Sequence, residues 1–261
     1  MKLSSFILAM AAPALLGALA GVPAGAQTLL ESTVMVDAKH FVRGIDDPLG
    51  ASDYIYREGI VPFGRISAVA DSDHQAQVYN GLGIAWSQVE LGGVHVFAQA
   101  QSVASATLLR VTGRGVASGF MSDFFSLNVP GAATGASFTV TAQVRVAGSA
   151  FAATLPGWTG AYQFAGDLAA FSSWKTWIRV MRGDSGQTVA ELRAGQSCDA
   201  RTNTGRGPLC RDTGQPGLQT ISFQMLNNGT AVQLDMRGWA SAGTSICTNR
   251  GFAARCRALL L

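Results

Sequence analysis

The chain has 261 residues, 48% of them hydrophobic and only 13% charged, with a formal net charge of +3. That length and apolar content suit one large all-β domain or two small ones. The weak positive balance lacks the strongly basic character of a nucleic-acid binder, so no nucleic-acid partner is expected.

In chain order, the first segment is MKLSSFILAMAAPALLGALAGVPAGAQ, residues 1–27. One charge, Lys2, precedes an apolar run from about Phe6 to Ala20, and Pro23-Ala24-Gly25-Ala26 ends it with small residues before Gln27. This is the layout of a secretory signal peptide, with cleavage expected after Ala26. The apolar run is short of the ~20 residues a spanning helix needs. Residues 1–26 are therefore set aside as a leader, and no membrane association is expected once it is removed. The protein is expected to be secreted, to the periplasm or outside the cell.

Residues 27–75 hold Gly, Pro and Asp clusters (Asp46-Asp47-Pro48, Val61-Pro62-Phe63-Gly64) and read as a partly irregular lead-in segment of the same domain, with a strand or two. From residue 76 to 240 strand-period alternation recurs, in 76–89, 93–111 and 114–129 and then more clearly. Small residues at alternate positions of the second stretch (Ala98, Ala100, Ser102, Ala104) suggest close approach of a second layer. In 137–148, Phe138, Val140, Ala142, Val144 and Val146 fall on one face and Thr139, Thr141, Gln143 and Arg145 on the other, as in a half-buried antiparallel strand.

The stretch SSWKTWIRVMRGD, residues 172–184, is the most informative for binding. As a strand it puts Trp174, Thr176, Ile178 and Val180 on a core face, with Lys175, Trp177, Arg179 and Met181 opposite. An indole between two cations at i±2 can stack on a sugar ring while the cations meet acidic groups. The competing reading has the cation stems simply packing on Trp177. Lys175, Trp177 and Arg179 are the candidate ligand-binding residues. In 221–236, alternating runs on both sides of Asn228-Gly229 predict a hairpin closed by a type I′ turn.

All four cysteines, Cys198, Cys210, Cys247 and Cys256, lie in the last quarter of the chain. In an exported chain they read as disulfides, with the sequence-local pairs 198–210 and 247–256 favoured among three possible pairings. Closing the first span would stabilise by ~3 kcal/mol in the chain-entropy model. A four-cysteine zinc site is the rival, but its ligands usually come in closer pairs. Residues 241–261 lack alternation and read as a disulfide-tied tail or an aberrant end.

Together these features point to an all-β fold: an antiparallel two-sheet sandwich, jelly-roll-like, with few helices. The order of leader, Ala98-x-Ala100-x strand, Ser122-Asp123, Pro130-Gly131-Ala132-Ala133-Thr134-Gly135 and the 137–147 strand ending at Gly148 resembles exported proteobacterial β-sandwich proteins of the PEP-CTERM type. The resemblance implies association with the cell surface and the exopolysaccharide matrix. The chain departs from that type in having no Pro-Glu-Pro motif, apolar C-terminal helix or basic stop, so free secretion is expected rather than surface sorting.

Catalytic signatures are few. No Gly-x-Ser-x-Gly elbow is present. His40, His74 and His95 are not paired at metal-ligand spacing, and His95 reads as structural. Asp71-Ser72-Asp73 lacks the full calcium-loop pattern and reads as a solvated turn. No glycine loop for phosphates occurs, so neither metal nor cofactor is expected. The expectation is a non-catalytic protein that binds extracellular polysaccharide or matrix. The alternative is a secreted carbohydrate-active hydrolase whose paired carboxylates carry no sequence signature.

Overall fold

The computed structural model describes residues 8–9, 27–42, 49–62, 69–78, 81–102, 108–153, 167–201 and 208–247, with side chains placed over 29–37, 82–102, 112–153, 169–200 and 208–245. Thirteen strands and no helix make up the described part. They are β1 (Leu8–Ala9), β2 (Gln27–Val42), β3 (Leu49–Pro62), β4 (Val69–Val78), β5 (Gly81–Glu90), β6 (Gly93–Ser102) and β7 (Leu108–Ser126), followed by β8 (Ser137–Val146), β9 (Asp167–Arg182), β10 (Thr188–Arg201), β11 (Leu209–Thr213), β12 (Gly217–Leu226) and β13 (Ala231–Cys247).

One layer is a seven-stranded sheet in the order β11-β10-β9-β13-β7-β2-β3. The second layer is divided into two three-stranded sheets, β1-β8-β12 and β4-β5-β6. Every pairing is antiparallel. The expected antiparallel sandwich is therefore present, and the chain crosses repeatedly between the layers. Both small sheets cover the same face of the large one. Val144, Ile221 and Phe223 from one and Val89 and Val94 from the other join Met121, Trp174, Ile178, Val180, Leu234 and Met236 of the large sheet in one core cluster.

The layers approach closely where both lack side chains. A methyl group on Gly83 would run into the backbone oxygen of Arg114, and one on Gly113 or Gly115 into those of Leu82 or Ile84. The tightest points are glycines of β5 and β7, not the small residues picked from 98–104: Ala98 and Ala100 line a cavity, and Ala104 lies outside the described residues. Two hydroxyls sealed between the layers are satisfied. Ser32, fully buried, donates to the Ser87 carbonyl at 2.9 Å, and the Ser87 hydroxyl donates to the Ser118 carbonyl at 2.9 Å.

Three sequence expectations change. Residues 221–236 do not form a hairpin: β12 pairs with β8, and β13 pairs with β7 and β9 in the other layer. Asn228-Gly229 turns the chain across the core, with Gly229 at φ 73°. Asn227 anchors this arch. Its Oδ1 accepts from Val129 N at 2.7 Å, and its Nδ2 donates to the carbonyls of Ala132 and Ala133 at 3.1 and 3.3 Å. Second, the segment 27–75 is more regular than a lead-in with a strand or two, because β2 and β3 form two strands of the large sheet and β4 follows. Third, the stretch 241–247 is no tail but the end of β13, which lies between β9 and β7.

The disulfide Cys198–Cys210 is formed, with S–S 2.05 Å, and joins directly opposed positions of β10 and the edge strand β11. The proposed 247–256 bridge lies outside the described side chains, as do most of residues 1–26. Leu8–Ala9 pair with Val144 and Gln143 at the outer edge of β8. Among the described residues no helix is long and apolar enough to cross a membrane.

Candidate functional site

Strand alternation gives the large sheet two unlike faces. Trp174, Thr176, Ile178 and Val180 of β9 point into the core, at 8%, 5%, 0% and 1% exposure, as the sequence suggested. Lys175, Trp177 and Arg179 point the other way, on the face that neither small sheet covers. The register aligns β9 with partners on both sides. Trp177 is opposite Arg193 of β10 and Arg237 of β13, Arg237 is opposite Phe120 of β7, and Phe120 is opposite Glu31 of β2. One row across the sheet therefore reads Arg193, Trp177, Arg237, Phe120, Glu31. The row on one side of it reads Lys175, Trp239, Ser118, and the row on the other side Glu191, Arg179, Asp235, Ser122. Neighbouring strands lie ~4.8 Å apart, so these side chains touch.

Cations sit over rings throughout. The Arg179 guanidinium is 4.3 Å and that of Arg193 5.9 Å from the Trp177 ring centroid. Arg237 lies 5.1 Å from the Phe120 centroid, and Lys175 Nζ 5.5 Å from that of Trp239. Of the three residues picked from sequence, Trp177 and Arg179 meet directly. Lys175 instead serves Trp239, because β13 is its neighbour in the sheet. Such contacts are worth ~0.5–1 kcal/mol at exposed sites, and they also restrain otherwise mobile side chains.

The cations divide by their anionic partners. Arg179 Nη2 donates to Asp235 Oδ2 at 2.8 Å, and Asp235, 2% exposed, also accepts at Oδ1 from Ser122 and Gln233, both at 2.9 Å. Arg193 Nε donates to Glu191 Oε1. That hydrogen bond, aided by the Arg193 and Arg179 charges, holds the Glu191 carboxyl below the usual carboxylate range. Lys175 and Arg237 are both exposed, and among the described residues neither has a carboxylate within salt-bridge distance.

Sequence reading missed Arg193, Arg237, Trp239, Phe120 and Asp235. Their alternation was visible in Gln233, Asp235, Arg237 and Trp239, but assigning 221–236 to a hairpin drew attention only to the inward residues. His95 lies 3.5 Å from Glu90, while the side chains of His40, His74 and Asp71-Ser72-Asp73 lie outside the described set. Among the described residues no three of His, Cys, Asp and Glu gather as a metal site.

The inner side of the large sheet contributes to a cavity of about 590 Å³. Trp174, Ala240 and Ala242 line it on the large sheet, Ala98 and Ala100 on β6, and Phe151 on the loop after β8; among the described residues no Asp or Glu lines it. A hydrolytic cleft would need two carboxylates facing a substrate. On the outer face Glu191 and Asp235 are each engaged by an arginine instead.

Fold and face together define a two-layer antiparallel β-sandwich with a cationic–aromatic surface on its larger sheet. Comparison with known proteins gives no match: no family model, no curated protein and no solved structure.

Proposed function

We propose that the protein is a non-catalytic, exported β-sandwich that binds extracellular polysaccharide on the uncovered face of the large sheet. The observation carrying this reading is the row Arg193, Trp177, Arg237, Phe120, in which cations and aromatic rings alternate across four adjacent strands. A row running across a sheet presents a long, shallow track of fixed groups, which suits an extended polymer better than a small molecule in a pocket. Export is supported by the leader-like first 26 residues and by the Cys198–Cys210 bridge, since disulfides persist in oxidising compartments. The resemblance to PEP-CTERM-type matrix proteins points the same way.

The test is a pull-down of the leader-free protein on a panel of immobilised polysaccharides, wild type beside the Trp177→Ala/Arg237→Ala double variant. Retention of the wild type with loss in the variant is the expected result. Equal retention of both would move the site elsewhere, and retention of neither would remove the function. Release of new reducing ends from a retained polymer would favour the hydrolase.

A further inference from the structure

We infer that this face selects acidic polysaccharides through Lys175 and Arg237, and that its aromatic rings support those cations rather than stacking on sugars; this rests on the polysaccharide-binding reading above. An aromatic platform needs a bare ring face. On Trp177 the guanidiniums of Arg179 and Arg193 lie over the ring, 4.3 and 5.9 Å from its centroid, and take the ring surface they cover. The rings of Phe120 and Trp239 likewise carry Arg237 and Lys175. What the face presents outward is a set of cations held on an aromatic bed.

Within that set, charge pairing singles out two. Arg179 and Arg193 are neutralised by Asp235 and Glu191. Lys175 and Arg237 are exposed, and among the described residues their charged groups lie over rings with no carboxylate within salt-bridge distance. They occupy diagonal positions, since Lys175 faces Trp239 and Trp177 faces Arg237. Diagonal neighbours on a sheet lie ~7–8 Å apart. Two long side chains at that separation can close on one acid group or on acid groups of adjacent sugars. A ring beneath each cation limits its rotamer freedom, so less entropy is lost when an anion arrives. A neutral glycan gains nothing from these charges and would have to displace a guanidinium to stack.

The probes are polygalacturonate and its fully methyl-esterified form, which share a backbone and differ in charge. Dextran sulfate and neutral dextran are a second such pair. Binding of the leader-free protein is measured by titration calorimetry for wild type, Lys175→Ala, Arg237→Ala and the double variant. Both substitutions are on the surface, and folding is checked by circular dichroism. Binding of the acidic member of a pair, at least tenfold tighter than its neutral counterpart, is expected. Each single substitution should weaken it severalfold and the double about tenfold or more, as for loss of two exposed ion contacts. Equal affinity for acidic and neutral members, or an unaffected double variant, overturns the acid selectivity and leaves polysaccharide binding standing. No binding of any of the four polymers overturns both.

Discussion

Replacing Arg179 with methionine removes the cation paired with Asp235 while keeping a stem of similar length over Trp177. The carboxylate is 2% exposed and would retain only Ser122 and Gln233, both on Oδ1. Losing a hydrogen bond to a charged group costs about 1.5–3 kcal/mol. Stripping the partner from a fully buried ion pair costs about 3–5 kcal/mol. The Arg179 side chain is 29% exposed, so water can partly replace it and the lower end applies. Adding about 0.5 kcal/mol for the lost ring contact gives about 3 kcal/mol for Arg179→Met. Asp235→Asn should cost only about 1 kcal/mol, because it removes the buried charge and leaves an arginine that water can reach. The double variant should cost less than the sum by about 1–2 kcal/mol. Urea unfolding of the oxidised, leader-free protein measures all three. An Asp235→Asn cost equal to that of Arg179→Met, or strictly additive costs, would refute this account of the pair.

Four further substitutions probe the fold and the charge pattern. Gly115→Ala should destabilise by about 3 kcal/mol or more, because the new methyl meets carbonyl oxygens of Ile84 and Gln99 that the backbone cannot easily move; Gly131→Ala, at φ +80° with open space around it, should cost only about 1 kcal/mol. Asn227→Ala should lose about 3 kcal/mol by urea unfolding, since its side chain holds Val129, Ala132 and Ala133 beside the arch. Glu191→Gln should lower stability slightly near neutral pH. Because the Glu191 carboxyl is held below its usual range, its contribution is present above that range and fades as pH falls through the lowered value. Thermal melts of wild type and Glu191→Gln should therefore converge in acid.

Alternation made much of this molecule legible. The split of β9 into a core face of Trp174, Ile178 and Val180 and an outer face of Lys175, Trp177 and Arg179 follows from period two alone. The same logic placed Val144 and Val146 inside. β2 was harder because its inward face contains Ser32 and meets the glycines and alanines of β5 and β7 at backbone distance, so the apolar contrast that marks a strand is weak. The arch at Asn228-Gly229 was misread because alternation flanks a hairpin and an arch identically. The two differ only in which strand accepts the hydrogen bonds, and that is decided by β8 and β9, far away in sequence. For the same reason the meeting of Trp177 with Arg237 and of Lys175 with Trp239 is a product of register between distant strands.

Hydroxyl-radical footprinting of the leader-free protein with and without polygalacturonate tests most directly the claim that ligand lies on the uncovered face of the large sheet. Protection of Trp177, Trp239 and Phe120 is predicted, with Phe151, 76% exposed beside the inner cavity, left unchanged. Protection of Phe151 without protection of Trp177 and Trp239 would contradict it.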